Sequence, residues 1–291
     1  MTLPELEVTP PPAGALDQVT DAELKRFADL IYARTGIRVS PQKRMLLSNR
    51  LRRRLRVTGI QDFSRYYDHL HRLRPNDPEW DAFLQEITTH ESYLFRDENQ
   101  WRWFRGEFMA ECDARARAQG PQPVLRIWSA ACSTGDEATT AACCLAACLP
   151  NLAQWEIRIL GTDIGLGALE QANSGVFGER AMRLVPEEYR RRFFHKTAAA
   201  PVWQANPALM RMLAFRQHNL MERLNEKPFD LVLLKNVLIY FDTASKKTVV
   251  AHVCANVRPG GLLVAGAAEG IADMLSGFQR IHPWLYRKPL R

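Results

Sequence analysis

Long apolar runs are missing from this sequence of 291 residues. No stretch of about 18 or more apolar residues occurs, so we expect no transmembrane helix and no membrane insertion. The beginning of the chain also lacks the apolar core of a secretory signal peptide and is rich in proline instead. We therefore predict that residues 1–19 form a disordered leader.

The cysteines lack the spacing of a zinc site or of a disulfide framework. The sequence contains no Cys-x-x-Cys pair, and Cys143, Cys144 and Cys148 fall on one predicted helix, which is poor geometry for disulfide pairing. We therefore expect reduced thiols in a cytoplasm and no metal site. The formal net charge of +7 suggests an acidic partner but does not say which kind.

What the sequence does contain is a strand, a turn of small residues and a helix start at 124–137. This order is typical of the cofactor-binding end of a doubly wound sheet. The turn has a single glycine, Gly135, and is followed by Asp136 and Glu137, which would repel a diphosphate. A cationic cofactor without phosphate fits better, and S-adenosylmethionine (SAM), with its sulfonium and amino groups, is such a ligand. An ordinary strand-to-helix turn is the alternative.

Two more polar positions follow predicted strands. Asp163 comes directly after the strand at 155–162, where an acid can accept hydrogen bonds from ribose hydroxyls. Its alternative role is to cap the helix that follows. Lys235 and Asn236 come after the apolar strand Phe229–Leu234. Because open α/β sheets bind ligands at the carboxyl ends of their strands, all three side chains are candidate site residues.

The chain divides into regions of different pattern. Apolar residues at helical spacing predict a helical N-terminal domain over 20–87, followed by a linker helix region over 88–120. Alternating strands and helices over 121–291 predict a doubly wound, Rossmann-like α/β domain whose last strand lies at 281–287. A basic, aromatic and proline-rich stretch at about 175–217 breaks this alternation, and we interpret it as an insertion.

One predicted helix of the N-terminal domain, at 41–58, is unusually basic. Seven basic residues and no acid fall between 43 and 56, with Lys43, Arg50 and Arg54 on one flank of an apolar stripe. Such a helix repels itself unless an acidic partner binds it. We therefore favour a binding role over the alternative of a solvated basic face.

Several blocks of sequence carry the signature of a known family. Read in order, residues 88–97 (TTHESYLFRD), 128–137 (WSAACSTGDE) and 236–241 (NVLIYF) resemble the CheR chemotaxis-receptor methyltransferases. Shorter stretches that also fit are 161–164, 219–220 and 259–261. The resemblance covers roughly residues 20 to 288, and separate blocks in one order are far more specific than a lone glycine motif.

The resemblance implies a SAM-dependent protein-glutamate O-methyltransferase that releases S-adenosylhomocysteine (SAH). It also implies an all-α N-terminal domain, a SAM-dependent methyltransferase domain and a small β-subdomain inserted at the stretch described above. The substrate would be glutamate side chains on the cytoplasmic helical bundle of a chemoreceptor. The basic helix would lie against that acidic bundle, with Lys43, Arg50, Arg53 and Arg54 as substrate-binding residues. We expect a monomer that does not bind nucleic acid.

The resemblance also supplies residue roles. Arg96 would hold the cofactor carboxylate or the substrate glutamate, and Lys235 and Tyr240 would steer the acceptor, so these three are the catalytic candidates. Glu137 or Asp136 would meet the amino group of the cofactor. The full cofactor-binding set is His90, Ser92, Arg96, Ala131, Glu137, Asp163, Asn219, Leu220, Asn236 and Val237. A carboxylate acceptor is ionised at neutral pH, since its usual pKa is about 4.3, and it needs no general base.

The sequence departs from the family pattern at a few positions. The family usually has Asn at His90, Thr at Ser92 and Arg at Lys235, and it has Glu-Pro-Tyr-Ser at 137–140. His90 and Ser92 still offer hydrogen bonds. Lys235 keeps the positive charge but loses the bidentate geometry of a guanidinium.

Two other functions stay open at this stage. The first is methyl transfer to a different acceptor. Nucleic acid is disfavoured because Asn236 is not followed by Pro-Pro and an aromatic residue, and because the chain has no Pro-Cys nucleophile. The second is a signalling adaptor that binds SAM or SAH without turnover.

Overall fold

The computed structural model describes residues 18–74, 76–119, 122–197, 201–266 and 268–290. The predicted leader lies outside the described residues up to position 17. Its last residue, Val19, is part of the fold, because its side chain is buried and its amide donates to the Ser48 hydroxyl at 3.0 Å. Among the described helices, none has the length and apolarity needed to cross a bilayer.

In the described chain six helices precede the first strand, and helices and strands are interspersed after it. The helices are α1 Asp21–Thr35, α2 Arg44–Thr58, α3 Phe63–Arg72, α4 Pro78–Ile87, α5 Glu98–Trp103, α6 Met109–Gln119, α7 Asp136–Cys148, α8 Leu166–Ser174, α9 Glu179–Met182, α10 Glu187–Phe193, α11 Pro207–Met210 and α12 Thr243–Asn256. The strands are β1 Val124–Ala130, β2 Glu156–Asp163, β3 Val176–Gly178, β4 Phe194–Lys196, β5 Val202–Ala205, β6 Leu213–Gln217, β7 Phe229–Leu234, β8 Val257–Ala265, β9 Gln279–His282 and β10 Leu285–Arg287.

The N-terminal helices α1 to α4 surround one apolar core. Helix α1 begins with a capping box in which Thr20 and Glu23 bond to each other's backbone, and it ends at Gly36 in the left-handed conformation. Leucines of the α2 stripe pack inward with aromatic residues of the other three helices. This core includes Phe27, Leu47, Leu51, Leu55, Tyr66 and Phe83.

A seven-stranded sheet forms the centre of the second domain. Its strand order is β6-β2-β1-β7-β8-β10-β9, in which the first five strands are parallel and β10 and β9 are antiparallel. Ala130 of β1 lies opposite both Thr162 of β2 and Leu234 of β7. The three central strands therefore end at the same level, which brings the residues that follow them to one edge of the sheet.

The predicted insertion contains a separate small sheet and ends earlier than expected. Strands β3, β5 and β4 form an antiparallel sheet within the interrupted stretch. The segment Leu213–Gln217, which the sequence interpretation assigned to the insertion, is instead edge strand β6 of the main sheet, paired with β2. It is short and mostly exposed, so it lacks the apolar run of a buried strand. Similarly, the predicted last strand at 281–287 is the hairpin of β9 and β10.

The N-terminal domain covers the carboxyl edge of the main sheet. The amide of Arg38 donates to the carbonyl of Tyr240 at 2.9 Å, next to a β-bridge between Ile37 and Phe241. The Asn219 side-chain amide donates to the carbonyl of Arg34 at 2.7 Å. A pocket is enclosed between the two domains.

Candidate active site

One pocket, which we call the edge pocket, collects nearly all of the predicted site residues. It lies at the carboxyl ends of β1, β2 and β7, below the N-terminal domain and the segment 88–96. It is lined by every predicted cofactor and catalytic residue, namely His90, Ser92, Arg96, Ala131, Glu137, Asp163, Asn219, Leu220, Lys235, Asn236, Val237 and Tyr240. Of the four predicted substrate residues, Lys43 and Arg50 line it, whereas Arg53 and Arg54 do not.

The turn after β1 brings the backbone close to this pocket. Ala131 and Ser133 have φ angles of 61° and 52°, and Gly135 has 83°, so three residues of one short turn are in the left-handed region. Such conformations cost about 1–3 kcal/mol each for non-glycine residues and cluster at functional sites. The hydroxyl of Ser133 is buried beside the pocket and has no hydrogen-bond partner among the described residues. This orphaned hydroxyl fits a site that a polar ligand completes.

Asp163 does not cap the helix that follows it. Its Oδ2 accepts from the Ser133 amide at 2.8 Å and its Oδ1 accepts from the Gly165 amide at 2.9 Å. The carboxylate thus ties the turns after β1 and β2 together. Each of its oxygens has a second lone pair, so the group can still accept from ribose hydroxyls.

His90 packs against this carboxylate. Its Nδ1 lies 3.6 Å from Oδ1 of Asp163, and its Nε2 lies 2.6 Å from the Thr88 hydroxyl. Burial lowers the pKa of His90 below its usual value and Arg50 lowers it further, although Asp163 opposes both. A side chain at Gly165 would collide with the His90 ring, because a Cβ there would lie 2.6 Å from the ring carbon. The neutral imidazole therefore fits a space that this glycine leaves open.

Lys235 lies between two acids. Its Nζ is 3.2 Å from Oδ2 of Asp97 and 3.2 Å from Oε2 of Glu137, and its side chain is only 4% exposed. The other oxygen of Glu137 accepts from the Ser129 hydroxyl at 2.7 Å. Asp136, the alternative contact for the cofactor amino group, does not line the pocket and is buried behind the turn. Glu137 is thus the acid available to a cationic ligand.

Arg96 differs from Lys235 in having no acidic partner among the described residues. Its guanidinium carbon lies 5.4 Å from the ring centroid of Tyr93, which also stacks with Arg183 at 3.6 Å. This arginine lines the same pocket as Glu137 and Asp163. The pocket therefore combines the acids Glu137 and Asp163 with the cation Arg96, which has no ion-pair partner among the described residues.

The basic helix α2 contributes to the pocket through only part of its charge. Arg50 donates to the Thr89 hydroxyl at 2.9 Å, and the Lys43 ammonium lies 5.3 Å from the Tyr240 ring. Arg54 instead forms an ion pair with Glu79 inside the N-terminal domain, where only 11% of the Arg54 side chain is exposed. Arg54 is therefore engaged within the N-terminal domain and does not reach the edge pocket.

Arg53 pairs with Glu86 at 2.6 Å and is half exposed, so it stays on the surface outside the pocket.

Sequence reasoning missed several residues of this site. His218 follows β6 and lines the pocket, and Asp97 is the second acid at Lys235. Glu269 is fully buried behind the turn that begins at Asn236 and accepts from the Val237 amide at 3.2 Å. Both His218 and Glu269 follow strands, so the rule that selected Asp163 and Lys235 could have found them once β6 and β8 were placed.

The residues present fit SAM. Glu137 can hold the amino group of the cofactor and Asp163 its ribose. These acids line a pocket whose turn lacks the glycine-rich phosphate cradle, which is the pattern expected for a cationic, phosphate-free cofactor. Leu220 and Val237 add apolar surface to the same pocket.

Comparison with known proteins agrees with this geometry. A family model described as CheR methyltransferase, SAM binding domain, matches residues 90–283, and one described as CheR methyltransferase, all-alpha domain, matches residues 22–88. The chain is similar to the chemotaxis protein methyltransferase of Salmonella typhimurium, with 32% identity over 264 residues, covering 89% of this chain and 88% of the relative. It is also similar to the chemotaxis protein methyltransferase of Escherichia coli, with 31% identity over 260 residues, covering 88% and 87%.

These matches confirm three predictions made from the sequence. The fold is an all-α domain followed by a Rossmann-like methyltransferase domain, the cofactor is SAM, and the reaction is methyl transfer. The chain belongs to the CheR methyltransferase family.

Proposed function

We propose that the chain is a protein-glutamate O-methyltransferase that modifies glutamate side chains on the cytoplasmic helical bundle of chemoreceptors. The observation that carries the proposal is Arg96, a guanidinium on the edge pocket without an acidic partner among the described residues. A glutamate carboxylate is ionised at neutral pH, since its usual pKa is about 4.3. An unneutralised cation at the pocket is the group that can attract and hold it.

Methyl transfer to an ionised carboxylate requires the protein mainly to orient the two reactants. When bound, SAM supplies a methyl group attached to a positively charged sulfur. Arg96 and Tyr240 hold the acceptor carboxylate, and the N-terminal domain closes the pocket against water. Holding two reactants in line can contribute about 7–11 kcal/mol to the lowering of a barrier. Lys235, whose charge Asp97 and Glu137 already balance, acts through these acids and does not touch the acceptor.

The rim of the pocket fits an acidic amphipathic helix. Lys43 and Arg50 supply positive charge there, and Leu46, which is 45% exposed, lines the same pocket. A helix of a receptor bundle offers acids and apolar side chains on neighbouring faces. Similarity to relatives named chemotaxis protein methyltransferase supports a chemoreceptor as the partner.

The test is methyl transfer from tritiated SAM to a purified cytoplasmic fragment of a chemoreceptor. We expect label that alkali releases as volatile methanol, because a carboxyl methyl ester is hydrolysed by base and an N-methyl group is not. Replacing the accepting glutamate by alanine should abolish the label. Arg96→Ala should lower kcat/KM by about 10- to 150-fold, the equivalent of one charged hydrogen bond of about 1.5–3 kcal/mol.

Arg102→Ala is the matched control, because Arg102 is exposed on α5 and does not line the pocket. Its activity should equal that of the unmodified chain. Alkali-stable label would contradict the proposal and indicate another acceptor. SAM binding without any labelled product would contradict it as well and would indicate a non-catalytic sensor.

A further inference from the structure

A buried carboxylate packs against the backbone of the turn Asn236–Tyr240. Glu269 is 0% exposed and does not line that pocket. Its Oε1 accepts from the Val237 amide at 3.2 Å, and the amides of Asn236 and Leu238 also approach the carboxyl group. Its Oε2 has no partner of normal hydrogen-bond geometry within the described chain. The backbone amides of the turn are thus directed at this acid, together with the positive charge described next.

The local fold is built to place this carboxylate. The Glu269 amide donates to the carbonyl of Gly266 at 3.2 Å, and Lys246 of α12 donates to the Glu269 carbonyl at 2.7 Å. A Cβ at Gly266 would lie 2.9 Å from Oε1, so the glycine leaves room for the acid. Burial raises the pKa of Glu269, whereas the amides of the turn and the charge of Lys246 lower it.

The turn that Glu269 contacts is strained and functional. Asn236 has a φ angle of 59°, in the left-handed region, and Asn236, Val237 and Tyr240 all line the edge pocket. A non-glycine residue keeps such a conformation only where its surroundings impose it. The amides at the start of this turn are the ones that approach Glu269.

We propose that Glu269 is a positioning residue, which fixes the turn Asn236–Tyr240 so that its side chains meet the cofactor and the acceptor. Its role toward Asn236 and Val237 concerns cofactor binding alone. Its role toward Tyr240 rests on the proposed function, because the acceptor contact of Tyr240 is part of that proposal.

The test combines amide hydrogen exchange with binding of SAH. In Glu269→Ala we expect the amides of residues 236–238 to exchange at least about 10-fold faster, while the amides of β7 keep their protection. Because Asn236 and Val237 line the edge pocket, we expect loss of this charged hydrogen bond to raise the Kd of SAH about 10-fold or more. Glu269→Gln keeps one acceptor oxygen for Val237 and should hold the Kd within about 3-fold of the unmodified value.

Asp273→Asn is the matched control, because Asp273 is an exposed acid four residues further along the same segment. It should change neither exchange nor Kd. If Glu269→Ala does not fold, Glu269→Gln carries the test: protection at Val237 is kept, and the amides of Asn236 and Leu238, which lose the negative charge, exchange faster.

Two results would overturn the inference. One is exchange at 236–238 that matches the unmodified chain in both variants, and the other is loss of protection spread evenly over β7, which indicates general destabilisation. Neither readout involves methyl transfer. A failure of glutamate labelling in the unmodified chain would therefore refute the proposed function and leave the role of Glu269 toward the cofactor standing.

Discussion

Glu137→Gln should weaken cofactor binding by a predictable amount without unfolding the protein. Glu137 shares its Oε2 with Lys235, at 3.2 Å, and is the acid we assign to the amino group of SAM. A hydrogen bond to a charged group contributes about 1.5–3 kcal/mol, or about 10- to 150-fold in affinity. Because Lys235 already balances part of the charge of Glu137, we expect the lower part of this range, about 10- to 30-fold.

The fold should survive this substitution because Lys235 keeps a second acid. Its ammonium stays 3.2 Å from Asp97, so no buried charge is left alone. Glutamine also keeps an oxygen that can accept from the Ser129 hydroxyl. We therefore expect a loss of only about 1–2 kcal/mol in the free energy of unfolding, measured by urea denaturation.

The assay is isothermal titration calorimetry with two ligands. SAH carries the amino group, whereas 5′-methylthioadenosine keeps the adenosine and the sulfur but has no amino acid part. Glu137→Gln should weaken SAH and leave methylthioadenosine within about 2-fold, since a contact to the missing group cannot be lost. Glu156→Gln, an exposed acid at the start of β2, is the control for removal of a negative charge.

Two outcomes would refute the reasoning. Equal weakening of both ligands would mean that the substitution damages the pocket as a whole. Unchanged binding of SAH would mean that the amino group of the cofactor meets a residue other than Glu137.

Three further predictions concern stability. Arg54→Ala should cost about 3 kcal/mol in unfolding free energy by urea titration while the Kd of SAH stays unchanged, because it leaves the carboxylate of Glu79 without its buried partner. Since the folded pKa of His90 is lowered, stability should fall as pH decreases from the usual histidine pKa of about 6.5 through the folded value, and His90→Asn should flatten that part of a melting-temperature profile. Gly135→Ala should lower the free energy of unfolding by more than Gly59→Ala in the same titration. Both glycines have positive φ, which costs about 1–2 kcal/mol for alanine. Of the two, Gly135 alone would also place the new Cβ in a collision, 2.8 Å from a carbon of α8.

The part of the site that follows directly from strands was predictable from sequence. The apolar run of β1, its turn of small residues and the acids after it give both the fold and the position of Glu137. Asp163 and Lys235 follow strands of the same sheet, and parallel strands end at a common edge. A local pattern was enough here because each strand carries its functional residue at its own end.

Which acid each basic residue pairs with was not predictable, because these ion pairs join distant parts of the chain. Helical spacing places Arg50 and Arg54 on the same flank of α2, yet Glu79 of α4 forms an ion pair with Arg54 and not with Arg50. Likewise, Lys235 meets Asp97, which lies 138 positions earlier in the chain. No periodicity in either segment shows which acid a basic residue will reach, so the number of free charges could not be read from the sequence.

The distribution of charge in the pocket explains why lysine can stand at position 235. Its compact ammonium fits between Asp97 and Glu137 at 3.2 Å from each, whereas the planar fork of an arginine suits one carboxylate gripped by two bonds. With both acids turned toward Lys235, Arg96 has no acidic partner in the described chain, and the same holds for Lys43 and Arg50 of this pocket. Lysine in place of the family's usual arginine therefore leaves the charge of Arg96 unchanged. We expect this difference to alter how Asp97 and Glu137 are ordered more than which group the enzyme methylates.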